Sequence, residues 1–207
     1  MHSTRLITTL AAIATVALSA PLQAQGASAP ADSAPSNTWQ IDASHSELSF
    51  RIRHFVSKVR GTFGAWRGRI VADPQQLGDG RVEIVIDAST IDTQHERRDA
   101  DLRSANFFEV ETYPQITFTS RSVQVDGTDL TIVGDLTIRG ITKPVTLTGE
   151  YIGTTTDNRG RRRIGFEAST TVNRLDWGLT WNRLAEGGGA MLGDDVEISI
   201  VVAAVER

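Results

Sequence analysis

Leu130-Thr-Ile-Val-Gly-Asp-Leu-Thr-Ile138 sets Leu130, Ile132, Leu136 and Ile138 in one phase, with Thr131, Asp135 and Thr137 between them. Successive side chains on a strand point to opposite faces, so this alternation predicts a strand with one face in a core and one toward water. The same phase recurs outward from it, in Leu48, Phe50, Ile52 and His54, in Ile164, Phe166, Ala168 and Thr170, and in Val196, Ile198, Ile200 and Val202. Each set is predicted to point inward.

Short runs rich in Val, Ile, Thr and Phe cover 38–55, 58–72, 80–91, 115–125, 129–139, 143–156, 162–174 and 195–205. They predict an all-β fold of eight antiparallel strands. Asp126-Gly127 and Asp157-Asn-Arg-Gly160 supply residues that tolerate positive φ between adjacent runs, so hairpins should dominate the connections. Thr93-Gln-His-Glu96 has the form of a capping box and predicts one short helix over about 94–105.

The chain has 207 residues, 40% hydrophobic, enough for one sizeable core. A net charge of −4 makes a poor nucleic-acid binder, and the absence of cysteine removes disulfides, thiolate metal sites and thiol nucleophiles. The apolar run from Leu6 to Leu18, followed by small residues, reads as a secretory signal peptide over 1–24 and implies a periplasmic or secreted protein. Residues 25–37 are small, polar and proline-bearing and read as a flexible leader. The folded domain is then 38–207.

Eight antiparallel strands close into a barrel whose interior is either filled by side chains or holds one slender ligand. Phe50, Phe63, Phe118 and Phe166 alternate with small in-phase residues such as Gly134, Gly149 and Ala168. That mixture fits a tunnel, and it also fits a solid core in which small residues oppose large ones.

Arg98-Asp-Ala-Asp-Leu-Arg-Ser-Ala-Asn-Phe-Phe-Glu-Val-Glu-Thr-Tyr-Pro114, Ile116–Ser120 and Gly134–Leu147 together resemble the signature of the YceI-like family. The resemblance extends to Trp39–Phe50, Ser57–Phe63, Asn173–Leu179 and Gly193–Ile200. It implies a lipocalin-like barrel and non-enzymatic binding of an isoprenoid lipid, as a quinone, polyprenol or polyprenyl phosphate, for transport, storage or stress protection. No other cofactor is expected. The lining is expected from Phe50, Ile52, His54, Phe63, Trp66, Ile84, Ile86, Phe118, Leu136, Leu147, Phe166, Ala168, Trp177 and Trp181. The alternative from another class is a solidly packed interaction module without a lipid.

His54, Arg97, Arg98 and Asp99 are the head-group candidates, with a core histidine and a lid held by an Arg-Asp ion pair as the plainer readings. Members of the family commonly carry histidine where this chain has Asp101; an acid there would disfavour phosphate if it met a head group, and otherwise would sit on a solvated helix face. Arg159, Arg161, Arg162 and Arg163 form a basic hairpin tip that fits either a transient membrane contact or a solvated turn. Trp177 and Trp181, followed by Gly187-Gly-Gly-Ala-Met-Leu-Gly193, suggest a flap at a tunnel mouth. Asp42, His45 and Ser46 lie on what reads as one extended strand and are not expected to converge as a catalytic triad. His45, His54 and His95 have no recognised metal-ligand spacing. Nothing in the residues marks a homodimer interface, and a homodimer remains compatible with them.

Overall fold

The computed structural model describes residues 37–183 and 190–207. The segments read as signal peptide and leader lie outside the described residues up to residue 36, as does the flap's Gly187-Gly-Gly189 run. Among the described residues the strands are β1 (Thr38–Ile41), β2 (Glu47–His54), β3 (Ser57–Phe63), β4 (Trp66–Asp73), β5 (Gln76–Asp87), β6 (Ile91–Asp92), β7 (Gln115–Asp126), β8 (Asp129–Ile138), β9 (Ile141–Thr156), β10 (Arg162–Asn173) and β11 (Leu192–Glu206). One helix, α1 (Glu96–Arg103), lies between β6 and β7.

All pairings are antiparallel, and β11 closes the ring against β2 and β1. β1 and β2 run as one interrupted strand, β3 and β4 as another, and β5 and β6 as a third, because β2 pairs with β3, β1 with β4, β4 with β5 and β3 with β6. The result is a closed eight-strand antiparallel barrel.

The first three predicted runs therefore each break once. At Asp42 the carboxylate accepts from the Ser44 N–H and hydroxyl, and a 3-10 turn, Ala43–His45, interrupts the strand. Asp87 does the same with Ser89, producing the turn Ala88–Thr90. Between β3 and β4, Gly64 and Ala65 donate to the carbonyl and hydroxyl of Thr90, at 3.1 and 3.0 Å. These local bonds compete with the sheet ladder and win over a few residues.

The helix also starts later than the capping box predicts. His95 is the N-cap, its Nδ1 accepting from the Arg98 N–H, while the Thr93 N–H and hydroxyl both donate to Asp99. A carboxylate is the stronger acceptor, and it draws Thr93 away from the cap.

Strand alternation gathers α1, the turns 55–56 and 139–140 and the β10–β11 connection at one end of the barrel, the helix end. The turns 74–75, 127–128 and 157–161 lie at the other, with residues 37 and 207. A compact apolar cluster closes this second end: Trp39, Ile41, Ile70, Ala72, Leu77, Ile164 and Ala204. Trp39 is fully buried, and its indole N–H donates to the Ala72 carbonyl at 2.9 Å.

Candidate functional site

The alternating faces read from the sequence turn inward and enclose a cavity of about 1040 Å³. Protein interiors pack at about 0.74–0.76 of their volume, so a void this large is not a solid core. It lies at the top of the roughly 300–1,000 Å³ range of small-molecule sites. Every residue expected to line the interior borders it: Phe50, Ile52, His54, Phe63, Trp66, Ile84, Ile86, Phe118, Leu136, Leu147, Phe166, Ala168, Trp177 and Trp181.

Two of the small in-phase residues do not make this space. A Cβ on Gly134 would collide with the Phe118 ring, and one on Gly149 with the backbone of Glu167. They let neighbours approach closely, and only Ala168 of the three faces the void.

Arg81 apart, the ionisable lining comes from the helix end: His54, His95, Arg97, Arg98, Asp101, Arg174 and Arg183. His95, Arg97 and Arg183 are exposed, so the cavity reaches the surface here, while toward the other end Ile41, Ile70, Ala72 and Leu77 line it with the exposed Arg81 beside them. His54 is half-buried with its ring edge-on to Phe55 at 4.9 Å. Among the described residues no hydrogen-bond partner meets its imidazole, so the backbone-satisfied core histidine is not what forms.

Of the other head-group candidates, Asp99 is buried and does not border the cavity. The lid is tied through Thr93 rather than by an Arg-Asp ion pair: Asp99 accepts from Thr93, and the Arg98 guanidinium donates to the Thr93 hydroxyl at 2.7 Å and carbonyl at 2.8 Å. Arg97 is exposed at the rim. Asp101 sits on the lining, half-buried and accepting from the Asn106 amide at 2.8 Å, not on a solvated helix face.

Trp177 does not belong to a flap. It is buried in the 3-10 turn Arg174–Trp177, and its indole N–H donates to the Leu136 carbonyl at 3.2 Å. Trp181 packs on Phe107 at 5.2 Å, with Arg183 over its ring.

Sequence reasoning missed Arg174, Phe107 and Phe108 as lining residues. Buried Arg174 donates to the carbonyls of Leu179, Trp181 and Gly193 and pairs with Asp194 at 2.9 Å, drawing together both ends of the β10–β11 connection. Burial pulls its guanidinium below the ordinary value, opposed by the Asp194 charge. Phe108 meets Phe63 edge-on at 6.0 Å. All three lie inside the motifs quoted above, which was the available signal.

At the closed end, Asp42 and His45 do converge, because the 3-10 turn replaces the extended strand. Asp42 Oδ2 lies 3.0 Å from His45 Nδ1, and the Ser44 hydroxyl lies 3.0 Å from the same nitrogen. Ser46 instead donates to the carbonyls of Asp42 and Ala203. A triad needs its nucleophile on the ring nitrogen the acid does not hold. Among the described residues, no group of three or more potential metal ligands forms.

The YceI-like domain model matches residues 39–204. Protein YceI of Escherichia coli is 41% identical over 152 residues, 72% of this chain and 80% of that protein. The solved Campylobacter jejuni YceI protein superposes with a TM-score of 0.65 at 28% identity, covering 73% of this chain and 87% of that one. A polyisoprenoid binding domain from Saccharophagus degradans superposes with a TM-score of 0.62 at 18% identity, covering 82% of this chain and 98% of that one. With a family match across the whole barrel and a relative this similar, the chain belongs to the YceI-like family.

Proposed function

We propose that the protein binds one isoprenoid lipid in the barrel, without catalysis, as a carrier or store in the bacterial periplasm. The observation that carries this reading is the 1040 Å³ apolar cavity, with an apolar cluster at one end and most of its ionisable lining at the other. The description of the Saccharophagus domain as polyisoprenoid-binding and the match to the YceI-like model support the same ligand class.

Each buried methylene is worth about 0.8 kcal/mol. Over a long prenyl chain the gross sum would pass the practical ceiling of about 18–21 kcal/mol, so apolar contact secures retention rather than selectivity. Head-group contacts must select. Arg98 and Arg174 are committed to protein acceptors, and Arg97 and Arg183 stand on the exposed rim, where solvent screens them. Asp101 on the half-buried lining repels an anion, while the unpartnered His54 imidazole offers a donor. A neutral quinone or prenol head can take that donor directly, whereas a phosphate would meet Asp101 beside the guanidinium groups of the same lining.

Native mass spectrometry of protein purified from a bacterial envelope tests the reading. A stoichiometric isoprenoid is expected, and Ala168→Phe should cut its occupancy by about tenfold or more while preserving the far-UV circular dichroism. A protein that is empty, and stays empty when offered isoprenoid quinone, would overturn it. The packed interaction module is disfavoured by the void itself.

A further inference from the structure

Around the cavity mouth the chain exposes apolar side chains where turns ordinarily carry polar ones. Val56 is fully exposed, and Phe55, Ile141 and Leu175 are 43%, 38% and 40% exposed. All four belong to turns of the helix end or the strand beginning there. The other large exposed apolar residues described, Ile152 and Val201, lie along β9 and β11.

The β2–β3 turn is the clearest case. His54 pairs with Ser57, leaving Phe55-Val56 as the loop, and Phe55 takes a φ of 53°. Hairpin turns with positive φ favour Gly, Asn or Asp, and a bulky residue there is a strained outlier. Tertiary contacts retain it: the Phe55 N–H donates to the Met191 carbonyl at 2.8 Å. A strained turn that displays two apolar side chains to water is a conformation held for a use.

The tips adjoin the mouth itself. Phe55 packs against His54 on the lining, and Leu175 shares its 3-10 turn with the lining residues Arg174 and Trp177. Ile141 reaches the same turn, its Cδ1 lying 3.6 Å from where a Cβ on Gly178 would stand. Exposed charges nearby are mixed, with Arg53, Arg97, Lys143 and Arg183 against Glu96, Glu111, Asp176 and Asp195. The basic hairpin tip lies at the opposite end and is largely neutralised: Arg161 and Arg163 pair with Asp157, Arg163 also with Asp42, and Arg162 with Glu206.

We propose that the helix end is a membrane-docking face on which Phe55 and Val56, flanked by Ile141 and Leu175, insert shallowly into a bilayer and set the cavity mouth against it. Separate tips around an opening suit a soft, continuous acceptor. A second protein copy suits them less, because a stable interface needs roughly 800 Å² from each partner and four apolar side chains, three of them partly covered, fall short of that. Mixed charge makes the contact an apolar insertion with weak dependence on anionic lipid. The use of this face, loading and unloading a prenyl chain without passage through water, rests on the cavity reading above; the face itself does not.

The test is flotation of the purified protein with vesicles of phosphatidylcholine alone and of phosphatidylethanolamine with phosphatidylglycerol, comparing wild type with F55G/V56N. That variant installs residues the turn geometry favours, so it should fold at least as stably. Wild type should float with both vesicles to within about threefold, and F55G/V56N should lose about tenfold or more of its partitioning with ligand occupancy unchanged. No flotation of wild type, or equal flotation of F55G/V56N, overturns the proposal. So does a wild-type dimer, seen by light scattering, that becomes monomeric in F55G/V56N without either form binding vesicles. A loaded protein that fails to float refutes docking alone, and an empty protein that floats refutes the cavity reading alone.

Discussion

Asp42 is one of the two most heavily engaged carboxylates described, with Asp157 the other. Its oxygens accept from the Ser44 N–H and hydroxyl and from Arg163, and meet His45 Nδ1. The Ser44 hydroxyl, then Arg163 and His45, hold its carboxyl well below the usual range, against an opposing contribution from burial. Because the folded pKa lies below the unfolded value of about 3.9, the stabilisation is present above that pH and is lost as pH falls toward the folded pKa. Solvent screening keeps it modest, since Asp42 is still 19% exposed and Arg163 21%. Asp42→Asn should therefore lower Tm by a few degrees at pH 7, and the gap to wild type should narrow steadily below pH 4 in a thermal-unfolding series. A gap constant from pH 7 to pH 2 would assign the effect to packing instead. Single residues of the cavity differ in how openly the sequence declared them. Phe50, Ile52 and His54 were legible because strand parity alone decides their side. Arg174 was not, because its burial depends on carbonyls at 179, 181 and 193 that only the closed loop brings together.

Strand breaks show how little separates one element from two. Asp42-Ala-Ser44 and Asp87-Ala-Ser89 interrupt their strands with the same bonds, whereas Glu167-Ala-Ser169 stays within β10. An aspartate is short enough to bond the N–H two residues on, and a glutamate makes that turn poorly. The number of strands around the ring was thus legible from hydrophobic runs, and the interruptions were not, because periodicity does not weigh one capping carboxylate against a ladder. Glycines inside strands carry a second element-scale message. Gly61 lies under the Phe50 ring and Gly134 under Phe118, so inward aromatics lie flat across a neighbouring strand instead of filling the void. Gly134→Ala should cost about 1–3 kcal/mol through overpacking, read as a lowered denaturant midpoint with an unchanged slope. Gly64→Ala is the control, since its added Cβ would meet nothing nearer than 3.7 Å and its stability should hold.

As a whole the barrel keeps a large apolar space without a core to fill it, and lining atoms along that space forgo dispersion contacts a solid interior would supply. Anything that fills this space would therefore be coupled to the fold. A lipid that binds only the folded state at 100 times its Kd adds about 2.7 kcal/mol, which for a chain of this size raises Tm by roughly 5–10 °C. Scanning calorimetry before and after solvent extraction should register that difference; identical transitions with the lipid verifiably removed would mean that the empty barrel is already at full stability. Closure has another outcome at the end opposite the helix. The described chain enters and leaves the barrel together there, with the Arg207 N–H donating to the Thr38 carbonyl at 3.0 Å. Whatever is joined to either point grips the molecule by its base, like a cup held from below. A surface tether or fused partner attached there leaves the opening turned away from its anchor. A short bridge from 207 to 37, with new ends cut at the 127–128 turn, would rewire the chain order while keeping every strand beside its present neighbours.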